Sequence, residues 1–521
     1  RNCEQPNLKN RQIFSEDIME ECRFCRMLRF VTWLVVVNFG CAFVPPSQAK
    51  ISARQCSTAI NDAATTATNA RAAVPPLPSP GDDELDRRGT WSRKWTRFGG
   101  EREGAEYIVP LWVADMDFQS PPEVVEAVKK VASNNLYGYT DCPALLAEAT
   151  VARLQERHGF GSTNLDSTML RWIPGLLPGL NHVIRARQAM DASTDQISVA
   201  VAAPIYAPFL AAPVNCGAEL VKVPLARRLL SDDASSPDSR IWHYEIDNDA
   251  LEGALARPEC KVLLWCSPHN PTGRVWTREE LKLVAELCVT HDVTLLSDEV
   301  WADLVLSDHQ VCGGDESTNQ APYSSSFVGM AALCTEVPGL EERLVVLCSP
   351  SKAFNVAALD VAVAAIPAGA GKLRRAFRRA GADAAEVTAF GYAAALAVYG
   401  PETKDSVERW RLRLAKYLHA NREVVERALL SSCPHIKLTR PEASYLTWID
   451  CVDSVPVGSD SSSLAPSPFK HFLENGVALT DGTSFGDKNA VRLNFGTHRD
   501  ILDEGLARMD KGLSSAVGTS V

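Results

Sequence analysis

The stretch "RLVVLCSPSKAFN", residues 343–355, carries an apolar run from Leu344 to Cys348 into a turn of small polar residues around Lys352. A continuous Val/Leu run of this length is the pattern of a strand buried on both faces, as strands of a parallel sheet are. Similar runs occur at 197–204 ("ISVAVAAP"), 261–268 ("KVLLWCSP"), 293–300 ("VTLLSDEV") and 361–367 ("VAVAAIP"). Between the second and third of these, Thr277 and Glu280 have capping-box spacing, and Leu281, Val284, Ala285 and Cys288 fall on one helical face. Strand, helix and strand in that order predict an α/β protein built on a mostly parallel sheet. A further helix is expected from a Ser120 cap with Pro121 at its first position. After Ala370 the texture turns helical ("KLRRAFRRAG", "VERWRLRLAKYLHANREVVERALL"), then gives the short strand "ASYLTWIDC". This predicts a second, smaller α+β domain. The expected division is a presequence over 1–80, a segment 81–118 joining the small domain, a large domain over 119–370 and the small domain over 371–515. Polar stretches at 307–325 and 453–468 are expected as surface insertions.

The 521 residues suffice for more than one domain, and 46% hydrophobic with 22% charged residues is ordinary for a globular enzyme. A net charge of -11 without a long basic block argues against nucleic acid and for a small-molecule partner. The 15 cysteines are scattered, and Cys266, Cys288 and Cys348 lie inside apolar runs, which predicts buried free thiols. The single C-x-x-C, Cys22 to Cys25, has no second pair, so no metal site is expected.

In an open parallel sheet, ligands bind beyond the carboxyl ends of the strands. The residues that follow the runs here are Asn270 within "HNPTG", Asp298, and Ser349, Ser351 and Lys352. An amide, a carboxylate and an amine at one sheet edge suit pyridoxal 5'-phosphate. That cofactor needs a lysine for its aldehyde, an acid for its pyridine nitrogen and a donor for its phenolic oxygen. Taken singly each has a bland explanation: a solvated strand end for Lys352, a helix cap for Asp298, a turn residue for Asn270.

The segments "SPHNPTGRVWTREEL", "LLSDEVWADLV", "SPSKAFNVAAL" and "VRLNFGTHRDILDEGLARM" resemble the class I/II aminotransferase superfamily of fold-type I pyridoxal-phosphate enzymes. More narrowly, "DRRGTWSRKW" (86–95), "LWVADMDFQSPPEVVEAV" (111–128) and "YGYT" (137–140) resemble the cystathionine β-lyases of the MalY/PatB branch. The resemblance implies that Lys352 holds the cofactor and removes the substrate α-proton, that Asp298 serves the pyridine nitrogen, and that Asn270 serves the phenolic oxygen, with a cis bond before Pro271. It also implies Tyr206 against the ring, and the backbone N–H groups of Leu176 and Leu177 with the hydroxyls of Ser349 and Ser351 on the phosphate. Tyr139 would reach the phosphate of a neighbouring subunit, hence a homodimer with shared sites, and Arg492 would clamp the substrate carboxylate. Two positions depart from the wider family: Asp360 stands where many aminotransferases have a phosphate-binding arginine, and Trp301 where they have a tyrosine. An indole N–H donates but takes up no proton.

The branch implies carbon–sulfur β-elimination from cystathionine or cysteine S-conjugates, which would serve methionine synthesis. The alternatives are an aminotransferase and a non-catalytic regulatory protein that keeps the cofactor. Finally, "MLRFVTWLVVVNFGCAFVPPSQA" (27–49), followed by a Ser/Thr/Ala-rich segment, resembles a bipartite plastid presequence; the alternative is a cytoplasmic protein. No membrane span is expected in the mature form.

Overall fold

A computed structural model describes residues 87–98, 107–191, 196–306, 326–452 and 467–517. The expected presequence, the C-x-x-C pair and the stretches 307–325 and 453–466 lie outside the described residues. Ser467 caps and Pro468 begins a helix, Pro468–Glu474.

All five apolar runs are strands of one seven-stranded sheet. Its order is Leu170–Ile173, Ala362–Ala365, Leu344–Cys348, Thr294–Asp298, Cys260–Cys266, Ser198–Ala203 and Glu219–Pro224. The pairings from Leu344–Cys348 to Glu219–Pro224 are parallel. Ala362–Ala365 instead runs antiparallel to both neighbours. A parallel return requires a crossover, usually a helix. The chain after Cys348 is spent on the turn around Lys352 and one short 3-10 helix, so the strand comes straight back.

Side chains of residues 262–266 in the strand Cys260–Cys266 alternate between two cores, as a period of two requires. Leu263 and Trp265 face the core that takes Leu281, Val284 and Cys288 of the helix Arg278–Thr290. Val262 and Leu264 face the core that takes Val183, Ile184 and Phe377 from the other side. Helices therefore cover both faces of the sheet. The capping box forms as expected, with the Thr277 hydroxyl accepting from the Glu280 N–H and the Glu280 carboxylate accepting from the Thr277 N–H. The expected Ser120 cap does not form: the helix runs Pro122–Ser133 after Pro121, and the Ser120 hydroxyl donates to the Asn355 carbonyl. That bond holds the segment against the Lys352 turn. Cys266, Cys288 and Cys348 are buried free thiols.

A second sheet of six strands runs Thr480–Asp481, Ala490–Asn494, Leu446–Asp450, Lys437–Thr439, Ile241–Glu245 and Ala226–Leu229. Its last two strands come from within the 119–370 span, so the sheets do not divide where the chain's texture changes. Val109–Pro110 pairs in parallel with Val477–Ala478. Among the described residues no helix is long and apolar enough to cross a membrane.

Candidate active site

The strands Cys260–Cys266, Thr294–Asp298 and Leu344–Cys348 are consecutive neighbours, so their carboxyl ends bring Asn270, Asp298 and Lys352 to one edge. Arg492 arrives from the middle of the strand Ala490–Asn494 in the second sheet and bridges to the first. Its Nη1 donates to Asn270 Oδ1 at 2.9 Å. Its Nη2 reaches the Thr480 hydroxyl at 3.3 Å and the Trp112 carbonyl at 3.4 Å, and its Nε has no partner although buried. The guanidinium lies over the Phe485 ring, 4.7 Å from the centroid. Among the described residues Arg492 forms no ion pair. Burial without a countercharge holds its pKa down to about 10.

Lys352 Nζ donates to the Ala114 carbonyl at 3.0 Å. Burial, then the charge of Arg492, lowers the amine from its ordinary 10.5 to about 8, against the opposing pull of Asp115 and Asp298. Asp298 is 4% exposed. Burial pushes its carboxyl up to about 7, despite an N–H bond from Val300 at 3.1 Å and the nearby Lys352. Asn270 uses its oxygen on Arg492, so its Nδ2 amino end remains to donate. Tyr206 opens the helix Ala207–Asn215, with its N–H on the Asn270 carbonyl at 3.1 Å. Its phenol is raised by burial, which Arg492 opposes.

The remaining expected residues divide. Leu176 and Leu177 begin the helix Leu176–Met190 after Gly175, whose φ of 94° suits glycine. The first-turn N–H groups of that helix have no intrahelical acceptors. The Ser351 hydroxyl makes no bond among the described residues. The Ser349 hydroxyl instead donates to the Val361 carbonyl at 2.7 Å and accepts from the Ser351 N–H at 3.1 Å, so its proton is committed to shaping the turn. Trp301 is buried edge-on to Tyr445 at 5.0 Å, and the Tyr445 hydroxyl donates to the same Ala114 carbonyl as Lys352. Tyr139 is 103% exposed and is not brought to the cluster by its own chain. Asp360, where an arginine is common in the wider family, is exposed. The cis bonds precede Pro204 and Pro268; the bond before Pro271 is not among them.

The segment 112–118 carries parts of the site that no residue type announced. The Trp112 and Ala114 carbonyls face Arg492 and Lys352, and backbone carbonyls leave no mark in sequence. This segment is held by Asn494, which donates to the Val113 and Asp115 carbonyls, and by Asn355, which donates to the Met116 and Phe118 carbonyls. Behind it Lys94 is fully buried against Asp117 at 2.6 Å, and Arg87 adds bonds to Asp115 and Asp117. His269 turns away from the cluster, with Nδ1 on the Thr272 hydroxyl at 2.8 Å. Its burial pushes the imidazole down to about 3. His158, Glu299 and Cys348 meet behind the strand ends. Both Glu299 oxygens are already engaged, by His158 at 2.7 Å and by Ser297 and Met330 at 2.9 Å, as befits a brace for the Asp298 segment.

The model of the family "Aminotransferase class I and II" matches residues 106–509. Cystathionine beta-lyase PatB of Bacillus subtilis (strain 168) is 31% identical, over 83% of this chain and 99% of its own length. Protein MalY of Escherichia coli (strain K12) is 28% identical, over 83% of this chain and 97% of its own. Cystalysin from Treponema denticola, whose crystal structure contains pyridoxal 5'-phosphate, shares the fold: TM-score 0.68 at 23% identity, covering 83% of this chain and 98% of that one. The α/β architecture, the strand-end cluster and the extent of these matches agree, and the chain belongs to the class I and II aminotransferases, a family of pyridoxal-phosphate-dependent enzymes.

Proposed function

We propose that the protein is a pyridoxal-phosphate-dependent carbon–sulfur β-lyase that cleaves cystathionine or cysteine S-conjugates to a thiol, pyruvate and ammonia. The observation that carries this reading is the buried guanidinium of Arg492, without a carboxylate partner, in one polar cluster with Lys352 and Asp298. A substrate α-carboxylate supplies the missing countercharge, in the bidentate geometry that guanidinium favours.

The donor set fits the cofactor. Lys352 would take its aldehyde, Asp298 its pyridine nitrogen, the Asn270 amino end its phenolic oxygen and Tyr206 its ring face. The first-turn N–H groups of Leu176 and Leu177 and the Ser351 hydroxyl would take its phosphate, as helix starts do. When bound, pyridoxal phosphate supplies an electrophilic carbon and a ring that withdraws electrons from the substrate α-carbon. Lys352, with its amine near 8, is available as the neutral base for the α-proton. Asp298 ionises readily once a cationic partner offsets the burial that raises it. Arg492, oriented by its bond to Asn270 Oδ1, would hold the substrate carboxylate while Lys352 takes the α-proton. The electron pair left at the α-carbon expels the β-thiolate. With one water, cystathionine yields homocysteine, pyruvate and ammonia.

The same residues serve amino transfer, and elimination is favoured by the named activity of PatB. The deciding experiment supplies holoenzyme with cystathionine and no keto acid and measures pyruvate. Pyruvate is expected from the wild type and not from Lys352→Ala; turnover only after a keto acid is added would assign the aminotransferase activity instead. We further propose a homodimer in which exposed Tyr139 completes the partner's phosphate site. A plastid address, carried by the segment 27–80, and a role in methionine synthesis complete the proposal.

A further inference from the structure

The helices Leu176–Met190 and Gly371–Ala380 pack on the same face of the large sheet through Val183, Ile184, Leu373 and Phe377. Between their outer sides lies a groove of about 480 Å³. Arg185, Lys372, Arg375 and Arg379 line it over an apolar floor that includes Met190 and Ala376, and no acidic residue lines it. All four cations are exposed, and among the described residues none forms an ion pair. The helix Gly371–Ala380 contains no acid at all, so Lys372, Arg375 and Arg379 repel one another at i,i+3 and i,i+4 spacing. By contrast Arg374 turns inward onto the carbonyls of Ile366 and Pro367, which shows the structural use a cation on this helix can have. Lys372, Arg375 and Arg379 make no such bond among the described residues, in a chain whose net charge is -11.

The groove's size falls within the roughly 300–1,000 Å³ typical of small-molecule sites. Arginines from two helices present planar guanidinium forks, which suit the multiply charged oxygens of phosphate. Met190, 39% exposed, gives an apolar body something to lie on. The groove sits toward the C-terminal end of the helix whose first turn is the proposed cofactor-phosphate seat, roughly 20 Å away at 1.5 Å per residue. We propose that this groove is a second ligand site, for a phosphate-bearing small molecule with an apolar body, of the nucleoside triphosphate class.

The test is calorimetric titration of ATP into the holoenzyme, whose cofactor site is already filled, at low and at high salt. Saturable binding that weakens with salt is expected, and at least ten-fold weaker binding in the double variant Arg375→Gln/Arg379→Gln. Pyruvate release from cystathionine should be unchanged in that variant, which reports that it folds and separates this site from the lyase assignment. The proposal is overturned if ATP shows no saturable binding, if the variant binds it equally well, or if a polyglutamate peptide binds the groove where ATP does not.

Discussion

Lys352 and Arg492 act on each other through charge, and both effects are measurable. For Lys352 to take the cofactor aldehyde, as proposed, its amine must be neutral, and with its pKa near 8 rather than 10.5 the neutral form prevails above about pH 8. Cofactor uptake by the cofactor-free protein should therefore speed up with rising pH and level off above about 8; stopped-flow absorbance would follow it. Arg492 is the largest charge holding that pKa down, so Arg492→Leu should move the midpoint to higher pH. Arg492→Lys keeps a cation but loses the fork. A charge-assisted hydrogen bond contributes about 1.5–3 kcal/mol, so KM for cystathionine should rise roughly ten- to a hundred-fold. Steady-state kinetics on the variant would check it. At this scale Lys352, Asp298 and Asn270 were legible because strand ends announce themselves in sequence. Ser349 looked equally suited to the phosphate, and only the geometry shows its proton spent on Val361.

The element that most needs its supports is the segment 112–118, which presents carbonyls to both Lys352 and Arg492. Its anchor is the buried pair Lys94–Asp117, reinforced by Arg87 and by the Trp95 indole N–H on Asp117 at 2.9 Å. Asp117→Ala would leave the Lys94 ammonium buried without its carboxylate, which costs about 3–5 kcal/mol. A urea unfolding midpoint lowered to match, with unchanged slope, is the expected result. The "HNPTG" turn shows a second dependence. Gly273 has φ +74°, and a Cβ there would stand 2.3 Å from the Pro441 Cβ. Its carbonyl also accepts from the Glu442 and Ala443 N–H groups, so this glycine ties the large sheet's edge to the loop before the strand Leu446–Asp450. The motif was plain in sequence; the loop it must accommodate is about 170 residues further on and gave no local signal.

At the scale of the whole molecule, Tyr139 stands fully exposed and contributes nothing to its own cluster. If it completes a partner's site, mixing inactive Lys352→Ala subunits with weakened Tyr139→Ala subunits should restore activity that neither has alone. Pyruvate release after mixing and re-association measures this, and no gain would count against shared sites. The chain's overall acidity likewise concealed the groove lined by Arg185, Lys372, Arg375 and Arg379, because Arg185 is nearly two hundred residues from the other three before folding. The sequence by itself determined the buried strands, the helix Arg278–Thr290 with its cap, and the strand-end residues, since local hydrophobic period and capping chemistry act over a few neighbours. Tertiary structure alone decided the antiparallel return of Ala362–Ala365 and the recruitment of Ala226–Leu229 and Ile241–Glu245 to the second sheet. It also placed Arg492 beside Asn270, without a carboxylate partner. These depend on which distant surfaces bury each other, and no short window of sequence contains both partners.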